Sequence, residues 1–164
     1  MASALKNLSS YNAESVPSAE GMRFAVVVSD WNTELTESLF KGAKQTLIKF
    51  GAKEDDIVRR NVPGSFELTL GAQLMAERGE FDAIICIGVV IQGETKHFDF
   101  ICNAVSNGLT ELNIKYNLPV IFGVLTPNTH QQALDRAGGI HGNKGDEAAI
   151  TAIKMAALKK ELFS

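Results

Sequence analysis

The segment GETKHFDF places His97 two residues after Thr95 and three after Glu94. An imidazole exchanges protons near neutral pH and can serve as a general acid or base. Thr95 adds a hydroxyl, and the neighbouring backbone adds amides, a set suited to an anion. A solvated or helix-capping histidine would read the same way in isolation, so position has to decide. Asp30-Trp31-Asn32 holds the single tryptophan of the chain. It is either a stacking surface beside an amide that bonds hydroxyls, or an indole folded onto the core. Ser65, Phe66 and Glu67 follow Pro63-Gly64. Ser65 suits a helix N-cap, and Glu67 suits the first helical turn or the hydroxyls of a polyol. In LDRAGGIHGNKG, glycines let backbone approach a ligand and Arg136 offers a planar fork for phosphate.

Several chemistries do not fit. The glycine-rich segment fails the Walker pattern: Ala137 stands where the first glycine belongs, and no Ser or Thr follows Lys144. The QGET stretch is not a dinucleotide fingerprint. His97, His130 and His141 have no metal-ligand spacing, and no GxSxG elbow occurs. A net charge of −3 supplies no bulk field for nucleic acid or an anionic membrane. Cys86 and Cys102 sit in apolar runs and read as reduced thiols. The first residues lack the pattern of a secretory signal, and no apolar run approaches the ~20 residues of a membrane span. A cytoplasmic protein is expected.

The elements that must hold these residues alternate. Apolar runs at 23–29, 56–62, 83–91 and 119–125 read as strands. Helical periodicity follows at 33–50, 66–78 and 98–116, with a short helix at 128–137, a glycine-rich loop at 138–145 and a terminal helix at 146–162. This order predicts an α/β flavodoxin-like three-layer sandwich: a four-stranded parallel sheet with helices on both faces. Ligands of such sheets bind beyond the carboxyl ends of the strands, where Trp31, Ser65 and His97 all fall. Residues 1–21 read as an N-terminal tail, ordered only on a partner if at all, and 22–164 as one domain.

In order and spacing, VVVSDWN, NVPGSFEL, CIGVVIQGETKHFDFICN, PVIFGVLT, LDRAGG and GNKG resemble the 6,7-dimethyl-8-ribityllumazine synthase family. The resemblance runs from about Arg23 to the C-terminus. It implies condensation of 5-amino-6-(D-ribitylamino)uracil with 3,4-dihydroxy-2-butanone 4-phosphate, the penultimate step of riboflavin biosynthesis. That reaction has proton transfers but no redox step, so neither cofactor nor metal is expected.

The resemblance also implies roles. Trp31 would stack on the pyrimidine. Asn32, Ser65, Phe66 and Glu67 would hold the ribityl chain, and the backbone of Val89, Val90 and Ile91 would read the uracil edge. Glu94, Thr95 and Arg136 would bind the phosphate, with His97 as proton donor and Lys144 near the pyrimidine or phosphate. Phe122 and Arg136 would come from a neighbouring subunit of a homopentamer. Twelve pentamers form an icosahedral shell in some members, and the tail can add a strand to a neighbour, limited here by Pro17. Gln92 and Ile140 stand where many members carry Arg and Lys, which puts the strength of phosphate binding in question. Two other readings use the same fold. A non-catalytic flavin or lumazine binder would need neither His97 nor Arg136. A receiver-like partner module would need an acidic cluster where Asp30 stands alone.

Overall fold

Each strand is short, the two strands at 24–29 and 83–89 are buried throughout, and each helix that follows a strand starts at a polar corner. The computed structural model describes residues 7–163. Strands β1 (Phe24–Ser29), β2 (Ile57–Val62), β3 (Ala83–Val89) and β4 (Val120–Leu125) alternate with helices α1 (Thr33–Lys49), α2 (Leu68–Glu77) and α3 (His97–Tyr116). After β4 come α4 (His130–Leu134), a small hairpin of β5 (Ala137–Gly139) and β6 (Gly142–Asn143), and α5 (Lys144–Phe163). The main sheet is parallel in the order β2-β1-β3-β4. This is the expected three-layer α/β architecture.

Alternation along each strand assigns its two faces. Phe24, Val26, Val28, Ile85 and Ile87 pack with Leu35, Leu39 and Leu47 of α1 and Ile153 of α5. Ala25, Val27, Ile84 and Cys86 pack with Leu68 and Ala72 of α2 and Leu109 of α3. The central strands β1 and β3 are thus buried on both faces, as in a parallel sheet covered by helices. Helices α1 and α5 meet so closely that a Cβ at Gly145 would lie 1.9 Å from the Leu39 carbonyl oxygen.

Three expectations change. The glycine-rich loop after α4 is the β5–β6 hairpin, held to α1 by Ser38 Oγ donating to the Ala137 carbonyl and Asn143 Nδ2 donating to the Ser38 carbonyl at 3.0 Å. Positive φ at Gly138 and Gly142 permits that turn, and the periodicity of so short a hairpin carries no signal. Helix α5 accordingly starts two residues early. The tail expected at 1–21 packs on its own chain where it is described. Val16 and Ala19, together with Met22 just beyond it, are buried in the α1–α5 layer. Leu8 N–H donates to the His141 carbonyl at 2.7 Å, and Ser9 Oγ accepts from Asn143 N–H at 2.9 Å. Residues 1–6 of the tail lie outside the described residues.

Candidate active site

The corner between β1 and α1 is made by a residue in the left-handed region. Asn32 has φ 63° and ψ 46°, a conformation that asparagine tolerates better than most side chains. Its carbonyl accepts from Leu35 and Thr36 N–H at 3.0 and 3.1 Å and opens α1. Its Nδ2 donates to the Val89 carbonyl at 3.1 Å, at the end of β3. Trp31 N–H turns the other way, to the Pro63 carbonyl at 3.1 Å. The indole is left 73% exposed, not folded onto the core.

The corner after β2 corrects the capping expectation. Helix α2 begins at Leu68, with Glu67 at its N-cap. Ser65 contributes only its carbonyl, which accepts from Leu68 N–H at 3.2 Å. Its hydroxyl is buried beneath Gly88 of β3 and has no hydrogen-bond partner among the described residues. A Cβ at Gly88 would lie 2.5 Å from that oxygen, so the site needs glycine in an otherwise aliphatic strand. Ser29, at the end of β1, also has a buried hydroxyl without a partner. Phe66 is exposed, and Glu67 Oε2 would lie 3.1 Å from a Cβ at Gly64.

Beyond β3 the chain runs along the end of β4. Val90 N–H donates to the Leu125 carbonyl at 2.8 Å and Gln92 N–H to the Pro127 carbonyl at 2.9 Å. His97 is the first residue of α3, not a loop residue, and its side chain is exposed. Its N–H donates to Thr95 Oγ1 over a long 3.4 Å. Among the described residues, the amides of Glu94, Thr95 and Lys96 donate to no protein acceptor. A 20-residue helix thus presents unspent amides beside an accessible imidazole. In α3, burial and then the Asp99 carboxylate push the Cys102 thiol above its ordinary range, and in β3 burial pushes the Cys86 thiol up.

The sheet edge therefore brings together Trp31, Asn32, Ser65, Phe66, Glu67, Val89, Val90, Ile91, Glu94, Thr95 and His97. It does not bring in the remaining candidates. The register pairs Phe122 with Cys86, three residues short of Val89, or roughly 10 Å along the strand. Its ring is 37% exposed on an edge strand. Arg136 precedes the hairpin on the α1 side, and its Nη1 donates to the Gln132 carbonyl at 3.0 Å. Lys144 pairs with Glu147 at 2.6 Å. Neither cation hydrogen-bonds a strand-end candidate among the described residues. Gln92 and Ile140 are both exposed. No three His, Cys, Asp or Glu side chains come together as a metal site among the described residues, and none of their helices is long and apolar enough to cross a membrane.

Sequence reasoning missed the Asn32–Val89 bond and the Ser65–Gly88 contact. Gly88, alone among β-branched neighbours, was the available signal of a close approach.

An imidazole, unspent helix-start amides and an exposed indole on one carboxyl edge define an α/β enzyme with a strand-end site. Known proteins place it further. The family model for 6,7-dimethyl-8-ribityllumazine synthase matches residues 21–160. A 6,7-dimethyl-8-ribityllumazine synthase of Cytophaga hutchinsonii is 61% identical over 157 residues, covering 96% of this chain and 98% of its own length. One from Parabacteroides distasonis is 56% identical, covering 94% and 97%. One from Flavobacterium johnsoniae is 53% identical, covering 98% and 85%. The chain belongs to the 6,7-dimethyl-8-ribityllumazine synthase family.

Proposed function

We propose that this protein condenses 5-amino-6-(D-ribitylamino)uracil with 3,4-dihydroxy-2-butanone 4-phosphate to give 6,7-dimethyl-8-ribityllumazine, phosphate and water, in riboflavin biosynthesis in the cytoplasm. The observation that carries the reading is the start of α3, where accessible His97 stands beside the unspent amides of Glu94, Thr95 and Lys96. Helix-start amides and the partial positive charge of the helix suit a phosphate. The phosphorylated ketone seats there, and Trp31 stacks on the pyrimidine across the same edge. Ser65, Phe66 and Glu67 cradle the ribityl chain, and the backbone of Val89, Val90 and Ile91 reads the ring.

The 5-amino group attacks the ketone and forms an imine with loss of water. Phosphate then leaves, and the ribityl-bearing nitrogen closes the second ring with loss of water. His97 supplies and removes protons in these steps.

Among the described residues, a single chain brings Lys96 to this edge but neither Arg136 nor Lys144. Arg136 and Phe122 complete it from a neighbouring subunit, with Lys144 close by, in a homopentamer. Exposed Phe66, just before α2, and exposed Leu70 and Leu74 within it support such an association. Light scattering separates a free pentamer from twelve pentamers in a shell.

The direct test is incubation of the purified protein with both substrates and no added cofactor, following lumazine absorbance. Product formation supports the reading. A chromophore bound without turnover would replace it with a binding role.

A further inference from the structure

Trp31 projects 73% exposed from a corner that the Asp30 and Trp31 N–H groups tie to β2 and the Asn32 side chain ties to β3. We infer that Asn32 is a positioning residue whose side-chain amide fixes the Trp31 corner to the end of β3, and that it acts on ring binding through that link. The inference rests on the reading of this edge as the aminouracil site. Three observations carry it.

First, the corner turns Trp31 N–H to the Pro63 carbonyl, so the backbone there serves the β2 side. The Val89 carbonyl faces β1 at the point where the β1–β3 ladder runs out. Asn32 Nδ2 donates to it at 3.1 Å and extends that ladder by one bond. Second, the left-handed backbone of Asn32 directs the side chain there. An L-residue at φ 63° carries local strain that asparagine and glycine bear best. Glycine would keep the turn and lose the link, so the choice of asparagine serves both. Third, Val89 begins the segment that meets the ring, and Trp31 directly precedes Asn32 in sequence. One hydrogen bond therefore sets the spacing between the stacking surface and the ring-reading backbone. Val89 engages one of the two Nδ2 N–H groups, and it is through that bond that Asn32 sets this geometry.

Asn32→Gly and Asn32→Asp separate the parts. Both keep a residue suited to positive φ, and both remove the donor. The aspartate also sets a carboxylate against the Val89 carbonyl. Each variant is expected to raise KM for the ribitylaminouracil about tenfold, the worth of one hydrogen bond of about 1.4 kcal/mol. KM should rise by more than kcat falls, and KM for the butanone phosphate should move less.

Trp31 is the sole tryptophan, so its fluorescence reports this corner without any substrate. In both variants its steady-state anisotropy should fall and acrylamide quenching should rise, while melting temperatures show that the fold is retained. Asn32→Gly matching the parent in both KM and anisotropy would overturn the inference and leave backbone conformation as the only role. Loss of anisotropy in a protein whose parent makes no lumazine would uphold the Asn32–Val89 link and refute the reading of the site.

Discussion

The start of α3 and the segment from Arg136 to Gly145 both carry charge-bearing or proton-bearing side chains, and they are built in opposite ways. At the start of α3, His97 is exposed and three amides are unspent. In the other segment the chain has spent its groups on itself. Arg136 donates to Gln132, Lys144 pairs with Glu147, and Asn143 bonds Ser38. The first region presents its groups outward, whereas the second is anchored on α1 and engages the Arg136 guanidinium through Nη1. They also begin from opposite sides of the sheet, since α3 belongs to the α2 layer and the hairpin to the α1 layer. Among the described residues of one chain, neither Arg136 nor Lys144 hydrogen-bonds a residue of the His97 edge, which is why the proposed assembly draws Arg136 from another copy.

The largest expected effect belongs to the exposed region. His97→Ala should lower kcat about a hundredfold, the low end for general acid-base catalysis, because positioning and the reactivity of amine and ketone remain. Steady-state rates at saturating substrates check this. In the packed region the corresponding blow is to stability. Gly145→Ala puts a methyl group against the Leu39 carbonyl and should cost about 2 kcal/mol in urea unfolding.

Arg136→Ala should raise KM for the butanone phosphate about tenfold, as loss of a charged hydrogen bond does, with KM for the aminouracil nearly unchanged. An unchanged phosphate-substrate KM would sever the packed segment from the site.

The smallest effect lies on the β2 edge, away from both regions. The Arg59 guanidinium hydrogen-bonds Glu37 and holds its carboxyl below the usual carboxylate range. A depressed carboxylate stabilises the fold above the unfolded value of about 4.3 and loses that contribution as pH falls through the folded value. Glu37→Gln should therefore flatten the acid limb of the stability curve below about pH 4, and only slightly, because the pair is partly solvated.

The sheet was legible because its signals are strong. β1 and β3 are fully buried runs rich in Val and Ile, and α1 repeats Leu35, Leu39, Ala43 and Leu47 on one face. The strand-end site followed from that topology. The hairpin at 137–143 was not legible, since two short strands rich in glycine carry no periodicity. Ser65 misled because a serine after Pro-Gly looks like a cap, whereas its hydroxyl is buried under Gly88 and α2 starts three residues later. The packing of Val16, Ala19 and Met22 was hidden by polar neighbours that point outward. The Asn32–Val89 bond joins residues 57 apart in the chain, which no local pattern reveals.

The central claim, that one chain supplies His97 and another supplies Arg136, is tested most directly by mixing. His97→Ala and Arg136→Ala proteins are unfolded together, refolded in equal amounts, and assayed at a butanone phosphate concentration where each alone is poorly active. If sites form between subunits, random assembly restores both residues in about a quarter of them, and activity rises well above the mean of the two variants. If His97 and Arg136 of the same chain share a site, co-assembly regenerates none, and activity equal to that mean would contradict the account.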